Sequence, residues 1–166
     1  MPNKWTFTIK PIAELLARYV GDGKGWVDPF AGENSPAEIT NDINSDMPTM
    51  YHDKAIDFPA RLQTQYIGIL FDPPYSLRQV KECYTENGLD LEYEETITYF
   101  SKLKTILSSN IAAGGLALCF GWNSCGFGKV NGFELIEILL VCHGRDHNDT
   151  IVTVERKIQS DFGVTK

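Results

Sequence analysis

The chain lacks paired cysteines. Its four thiols, Cys83, Cys119, Cys125 and Cys142, form no CxxC, and two of them lie inside strongly apolar runs. A zinc cluster or disulfide frame is therefore not expected, and reduced, mostly structural thiols of a cytosolic protein are. No stretch is apolar for long enough to span a bilayer, and Met1-Pro2-Asn3-Lys4 opens no signal-peptide pattern, so no membrane association is expected. Internal repeats, low-complexity blocks and linker-like segments are also missing, which leaves one domain over residues 1–166. Cations are scarce: 15 Lys and Arg against 22 Asp and Glu leave a net charge of −7. That balance argues against binding nucleic acid through a generally basic surface, though not against a local basic strip. What remains is 43% hydrophobic content in 166 residues, enough for one well-buried core.

The elements alternate. Pro11–Val20 sets Ile12, Leu15, Leu16 and Tyr19 at helical spacing behind a proline suited to a first turn. Gly21-Asp22-Gly23-Lys24-Gly25 follows. A phosphate loop needs strand, glycines and helix in that order, and here the glycines precede the strand, so they read as a helix stop and turn. Short strands are expected at Gly25–Val27, ending near Asn41, and around Thr49–His52, with a helical turn in Ala55–Leu62 limited by Pro59. Leu91–Ser109 is the longest helical candidate, with Tyr93, Ile97, Phe100, Leu103, Ile106 and Leu107 on one stripe. Gly114-Gly115 leads into a strand at Leu116–Phe120. Phe133–Cys142 and Thr150–Glu155 are β-rich, and the short join between them favours an antiparallel hairpin. Residues 158–166 are polar and expected to fray.

One stretch carries chemistry. Tyr66–Phe71 reads as a buried parallel strand, and Asp72-Pro73-Pro74-Tyr75 follows it directly. An acid at such a carboxyl end points into the crevice where open α/β sheets bind ligands. The prolines fix the backbone and remove N–H groups, leaving a stiff loop rich in acceptors with an aromatic ring after it. Such a set suits a flat molecule held through an exocyclic amine. Gly32 permits a tight turn and close approach of a ligand.

Val27-Asp28-Pro29-Phe30-Ala31-Gly32, Thr40-Asn41-Asp42-Ile43-Asn44 and Asp72-Pro73-Pro74-Tyr75, in that order and spacing, give the chain its likeness. It resembles the class I S-adenosylmethionine-dependent methyltransferases, specifically those that methylate the N6 amine of adenine, from about Trp5 to Lys157. The resemblance implies an α/β fold of three layers, Rossmann-like, with a mostly parallel twisted sheet ending in an antiparallel hairpin. Only Glu33–Glu38 separate the Gly32 turn from the second strand, so the first-motif helix is expected to be shortened or absent.

The same resemblance assigns roles. Asp72, Pro73, Pro74 and Tyr75 become catalytic: Asp72 and the Pro73 carbonyl accept the two amine hydrogens, and Tyr75 stacks on an extruded base. S-adenosylmethionine would be held by Phe7, Ile9 and Pro11 over its methionine end, by Asp28, Pro29, Phe30, Ala31 and Gly32, and by Asp42 and Ile43. Asp53 stands one step from the acidic position the family uses before Ala55, where this chain has Lys54, and is not expected as a contact. Ser76, Arg78 and Lys81 follow the catalytic loop as substrate-binding candidates, with Lys129, Arg145 and His147 reaching the rim from later loops. The partner implied is DNA, with RNA left open because nothing here reads a 2′-hydroxyl. A homodimer or a separate recognition partner is compatible with so short a chain, and a bacterial or phage-infected cytoplasm with the family. His143, His147 and Asp149 read as turn chemistry and no metal is expected.

Overall fold

The computed structural model describes residues 5–88, 93–144 and 148–158. Arg145, His147, the first residues of the helix expected from Leu91, the tail beyond Ile158 and the side chains of Tyr93 and Ile97 lie outside them. Six strands form one sheet: β1 (Trp26–Asp28), β2 (Ile39–Thr40), β3 (Tyr66–Phe71), β4 (Ile111–Gly121), β5 (Phe133–Val141) and β6 (Thr150–Lys157). Their order is β2-β1-β3-β4-β6-β5. The first four run parallel, β6 is antiparallel to β4, and β5 is antiparallel to β6. From β1 the chain passes outward to β2 and then returns to β3 on the opposite side. That reversal opens a crevice outside the carboxyl ends of β1 and β3.

Alternation along the strands builds two cores. Leu70 of β3 faces the layer of α1 (Lys10–Tyr19), where Ile12, Leu15, Leu16 and Val20 pack on Trp26, Leu118, Val152 and Val154. Ile69 and Phe71 face the other layer, made by α2 (Leu77–Glu86) and α3 (Tyr93–Ser109), which supply Val80, Tyr84, Tyr99, Leu103 and Leu107. Leu103 and Leu107 are fully buried, so truncating either to Ala costs about 2–5 kcal/mol. No helix follows Gly32, as expected from the short connection. The three glycines after α1 all have positive φ and end the helix.

Four expectations change. The strand around Thr49–His52 is reduced to a single parallel bridge between Tyr51 and Asn41. The cause is the Asn41 side chain: its amide donates to the carbonyls of Pro29 and Asp53 and its oxygen accepts from Asp53 N–H, replacing the rungs a strand would supply. Residues 76 onward, expected as a loop, contain α2, capped by the Ser76 hydroxyl accepting from Gln79 N–H. On α3, Ile106 faces solvent, and Tyr99 is buried in the stripe instead. Finally β4 begins at Ile111, before the glycine pair. All four cysteines are free of disulfides, with Cys119 buried and Cys125 and Cys142 exposed.

Candidate functional site

Asp28 ends β1 and is wholly buried. Its Oδ1 accepts the Phe30 N–H at 2.9 Å and its Oδ2 the Ser35 hydroxyl at 2.6 Å. Loss of water pushes the carboxyl up to about 7 against those two bonds, with the nearby charges of Asp72 and Asp42 adding to the rise. Asp28 thus braces the loop from Pro29 to Ser35 from beneath. Gly32, at φ 55°, takes the left-handed backbone this turn needs, and an added Cβ there would meet nothing within 4 Å. Its N–H donates to Asp42 Oδ2 at 3.0 Å, while Asp42 Oδ1 accepts from Asn44 N–H at 2.9 Å. Burial raises the Asp42 carboxyl, opposed by those amides and by His52. Each Asp42 oxygen keeps a second lone pair for a ligand.

Three edge-to-face aromatic pairs, Phe30–Phe71, Phe30–Phe100 and Phe71–Phe100, hold the loop on the sheet with ring centroids 5.4–6.2 Å apart. Two hollows lie against it. One, with about 750 Å³ of empty space counted to its mouth, runs from Thr6 and Phe7 past Ala31, Gly32 and Asp42 to Asp72. The second, of about 420 Å³, is lined by Pro29, Ile43, Ala55, Tyr99 and others. Phe30, Asp42 and Cys83 belong to both. The pair therefore forms a bent cleft with Asp42 at the elbow.

Asp72 stands at the far end, 2% exposed. The Tyr75 hydroxyl donates to its Oδ1 at 2.8 Å, and the Thr6 hydroxyl is a further partner. Burial pushes Asp72 up to about 7 and those two bonds pull the other way. No ion pair seals it among the described residues. The two groups expected to meet a substrate, acid and ring, meet each other here. Tyr75 also lies edge-on to Trp122, centroids 5.4 Å apart.

The remaining expected residues divide. Phe7, Pro29, Phe30, Ala31, Gly32, Asp42 and Ile43 line the bent cleft. Asp28 lies under it, Ile9 precedes α1 and packs on the core, and Pro11 is exposed in the first turn of α1; none of the three lines the cleft. Pro73 and Pro74 are buried, and Ser76 caps α2. Arg78 and Lys81 flank an open groove with Glu82 and Glu86, and Arg78 Nε is tied to Glu82 at 2.7 Å. Asp53 is paired with Arg61. His143 donates its backbone N–H to Asp149 and meets Thr150 through Nε2, which is turn bonding. Among the described residues no cluster of acids, thiols and imidazoles could hold a metal ion, and no helix is long and apolar enough to cross a membrane. The sequence pattern does not single out Cys83 and Asn87 in the cleft, or Lys104 and Trp122 beyond the Asp72–Tyr75 loop.

No protein-family model and no curated protein matches the chain. Solved structures do. TrmN from Thermus thermophilus superposes with a TM-score of 0.55 at 15% identity, over 89% of this chain and 48% of its own. This chain therefore spans about half of that protein's length. The magnesium protoporphyrin IX methyltransferase ChlM from Synechocystis PCC 6803, solved with bound SAM, gives 0.53 at 15% identity over 89% and 78% of the two chains. The 1,6-didemethyltoxoflavin-N1-methyltransferase of Burkholderia thailandensis, with bound 1,6-didemethyltoxoflavin and S-adenosylhomocysteine, gives 0.56 at 9% identity over 90% and 78% of the two chains. The strand order and the antiparallel terminal hairpin thus match the Rossmann-like fold of these methyltransferases.

Proposed function

We propose that the chain is an S-adenosylmethionine-dependent methyltransferase acting on the N6 amine of adenine in DNA. The observation that carries this reading is the bent cleft running from Ile43 and Ala55, around the Asp42 carboxylate, to the buried acid of Asp72. Its donor set fits a nucleoside with a charged amino-acid arm. The apolar recess suits the adenine of the cofactor, the Asp42 lone pairs suit the ribose hydroxyls, and the space over Gly32 admits the backbone-to-ligand approach. Bound there, S-adenosylmethionine would supply a methyl on a sulfonium sulfur, transfer of which would make the N–C bond, break the C–S bond and release one N6 proton.

The chain's own work is orientation and charge placement. Asp72 and the Pro73 carbonyl take the two amine hydrogens, which turns the nitrogen lone pair toward the methyl. Burial pushes Asp72 up to about 7, so near neutral pH it is poised to take the proton that leaves. Tyr75 must first release Asp72, and its ring is then available to stack on the base. Purified protein incubated with S-adenosylmethionine and a mixture of unmodified duplex DNA and RNA, followed by digestion and mass identification of the modified nucleoside, tests the reading. N6-methyladenine as deoxynucleoside is the expected product; methylated ribonucleoside or N4-methylcytosine instead rejects it.

A second reading rests on one observation. Arg78 is engaged by Glu82, and Lys81 shares its groove with Glu82 and Glu86, so this rim offers little attraction for phosphates. A partner subunit that supplies the basic surface accounts for that. Activity that appears only on adding such a partner supports this second reading.

A further inference from the structure

Beside the Asp72–Tyr75 loop lies a further cavity with about 690 Å³ of empty space counted to its mouth, which meets the Ile43 arm of the bent cleft at Pro74 and Phe100. Pro73, Pro74 and Tyr75 form one wall, Phe120 and Trp122 another, and Lys104 stands with them. It shares no lining residue with the hollow that contains Asp72, and the loop from Asp72 to Tyr75 borders both. The Tyr75 hydroxyl on Asp72 ties the two ends of that loop together.

This cavity is built, not incidental. Its outer wall is the chain after β4, and that chain is pinned from two sides by opposite charges. The buried Glu155 carboxylate accepts from the N–H groups of Phe127 and Gly128. Lys104 Nζ donates to the carbonyls of Cys125 at 2.7 Å and Gly126 at 2.9 Å, and sits 5.3 Å from the Phe71 ring centroid. An ammonium has three hydrogens, so one of its donors is left for a ligand acceptor. At the mouth Trp122 is 44% exposed and rests edge-on against Tyr75 at an interplanar angle of 65°. An exposed indole held against a second ring is a ready stacking surface.

We infer that this cavity receives the acceptor ring, with Trp122 as its second stacking wall and Lys104 as the donor that meets a ring nitrogen. The inference rests on the proposed adenine methyl transfer and deepens it. A flat heteroaromatic amine matches every group on the walls: two planar rings for its faces, acceptors on the catalytic loop for its amine, and one cationic donor for its ring nitrogen. Trp122 and Tyr75 part to admit it, and in parting Tyr75 uncovers Asp72. A ring with an exocyclic carbonyl and no amine lacks the hydrogens the loop accepts.

The test uses the full chain, S-adenosylmethionine and an adenine-containing oligonucleotide, with an all-thymine oligonucleotide as control. Trp122→Ala raises the acceptor KM about tenfold or more, changes kcat less, and leaves cofactor affinity unchanged; Trp122→Phe restores most of the loss. Stacking also quenches indole emission in the wild type on adding the adenine oligonucleotide, and Trp122→Phe removes that quench although Trp5 and Trp26 remain. If the wild type methylates adenine while Trp122→Ala keeps its KM or the quench survives in Trp122→Phe, this pocket assignment is overturned and the proposed activity stands. A wild type that neither methylates adenine nor shows the quench overturns both.

Discussion

Asp28 and Asp72 terminate neighbouring strands of one sheet, both are buried, and both are pushed up to about 7, yet their partners differ in kind. Asp28 is held by a backbone amide and a serine of its own loop. Those groups cannot leave without unmaking the turn that carries Gly32. Asp72 is held by the hydroxyl of Tyr75, a side chain whose ring borders another cavity. That partner can be displaced. Similar burial thus conceals different anchoring, the first acid held by its own loop and the second by a side chain that also borders another cavity.

Breaking the first acid tests the structural half. Asp28→Ala leaves the Phe30 N–H and the Ser35 hydroxyl without an acceptor, costing about 1–3 kcal/mol for each group. Urea unfolding measures it, and Asp28→Asn, which keeps an acceptor, loses less. Asp42 lies between the two roles, since it holds Gly32 and Asn44 while facing the elbow. Asp42→Ala weakens S-adenosylmethionine binding about tenfold or more by titration calorimetry, and an unchanged affinity rejects its role at the ribose.

Proton linkage separates the acids more finely. Each carboxyl rises from 3.8 to about 7 on folding, so the native state binds more protons than the unfolded chain across that window. Unfolding free energy therefore falls as pH rises from 3.8 to about 7 on account of these groups. Under the proposed mechanism activity moves the other way, because the ionised Asp72 is the form that would accept amine hydrogens. Thermal melts of Asp28→Asn and Asp72→Asn each flatten part of the stability slope, while turnover climbs through pH 7 in the wild type and in Asp28→Asn, which keep Asp72, and loses that climb in Asp72→Asn. The smallest effect belongs to Arg78. Its guanidinium is exposed and paired with Glu82, so Arg78→Ala changes methylation and its salt dependence by less than about twofold.

The sheet and both acidic loops could be read from the sequence because strand, turn and acid are contiguous there: Val27 to Gly32, and Tyr66 to Tyr75. Helix α2 was harder. Leu77–Glu86 offers Val80 and Tyr84 to the core on an otherwise polar stretch, too thin a stripe for periodicity to reveal. A cap signal was nevertheless present, Ser76 with Gln79 three residues on. The collapsed third strand depends on where the Asn41 amide points, which no local pattern encodes. Lys104 and Trp122 come from α3 and the end of β4, and only tertiary packing brings them to the catalytic loop. Composition gives the net charge of −7, but not that Glu82 would engage Arg78.

The most direct measurement pairs two readouts on one variant, Asp72→Asn, an isosteric change that leaves the loop intact while swapping an acceptor for a donor. S-adenosylmethionine affinity should match the wild type, and methyl transfer to adenine should fall by about a hundredfold or more. Full activity in that variant, or a joint loss of cofactor binding and turnover, contradicts the division of labour between the two acids.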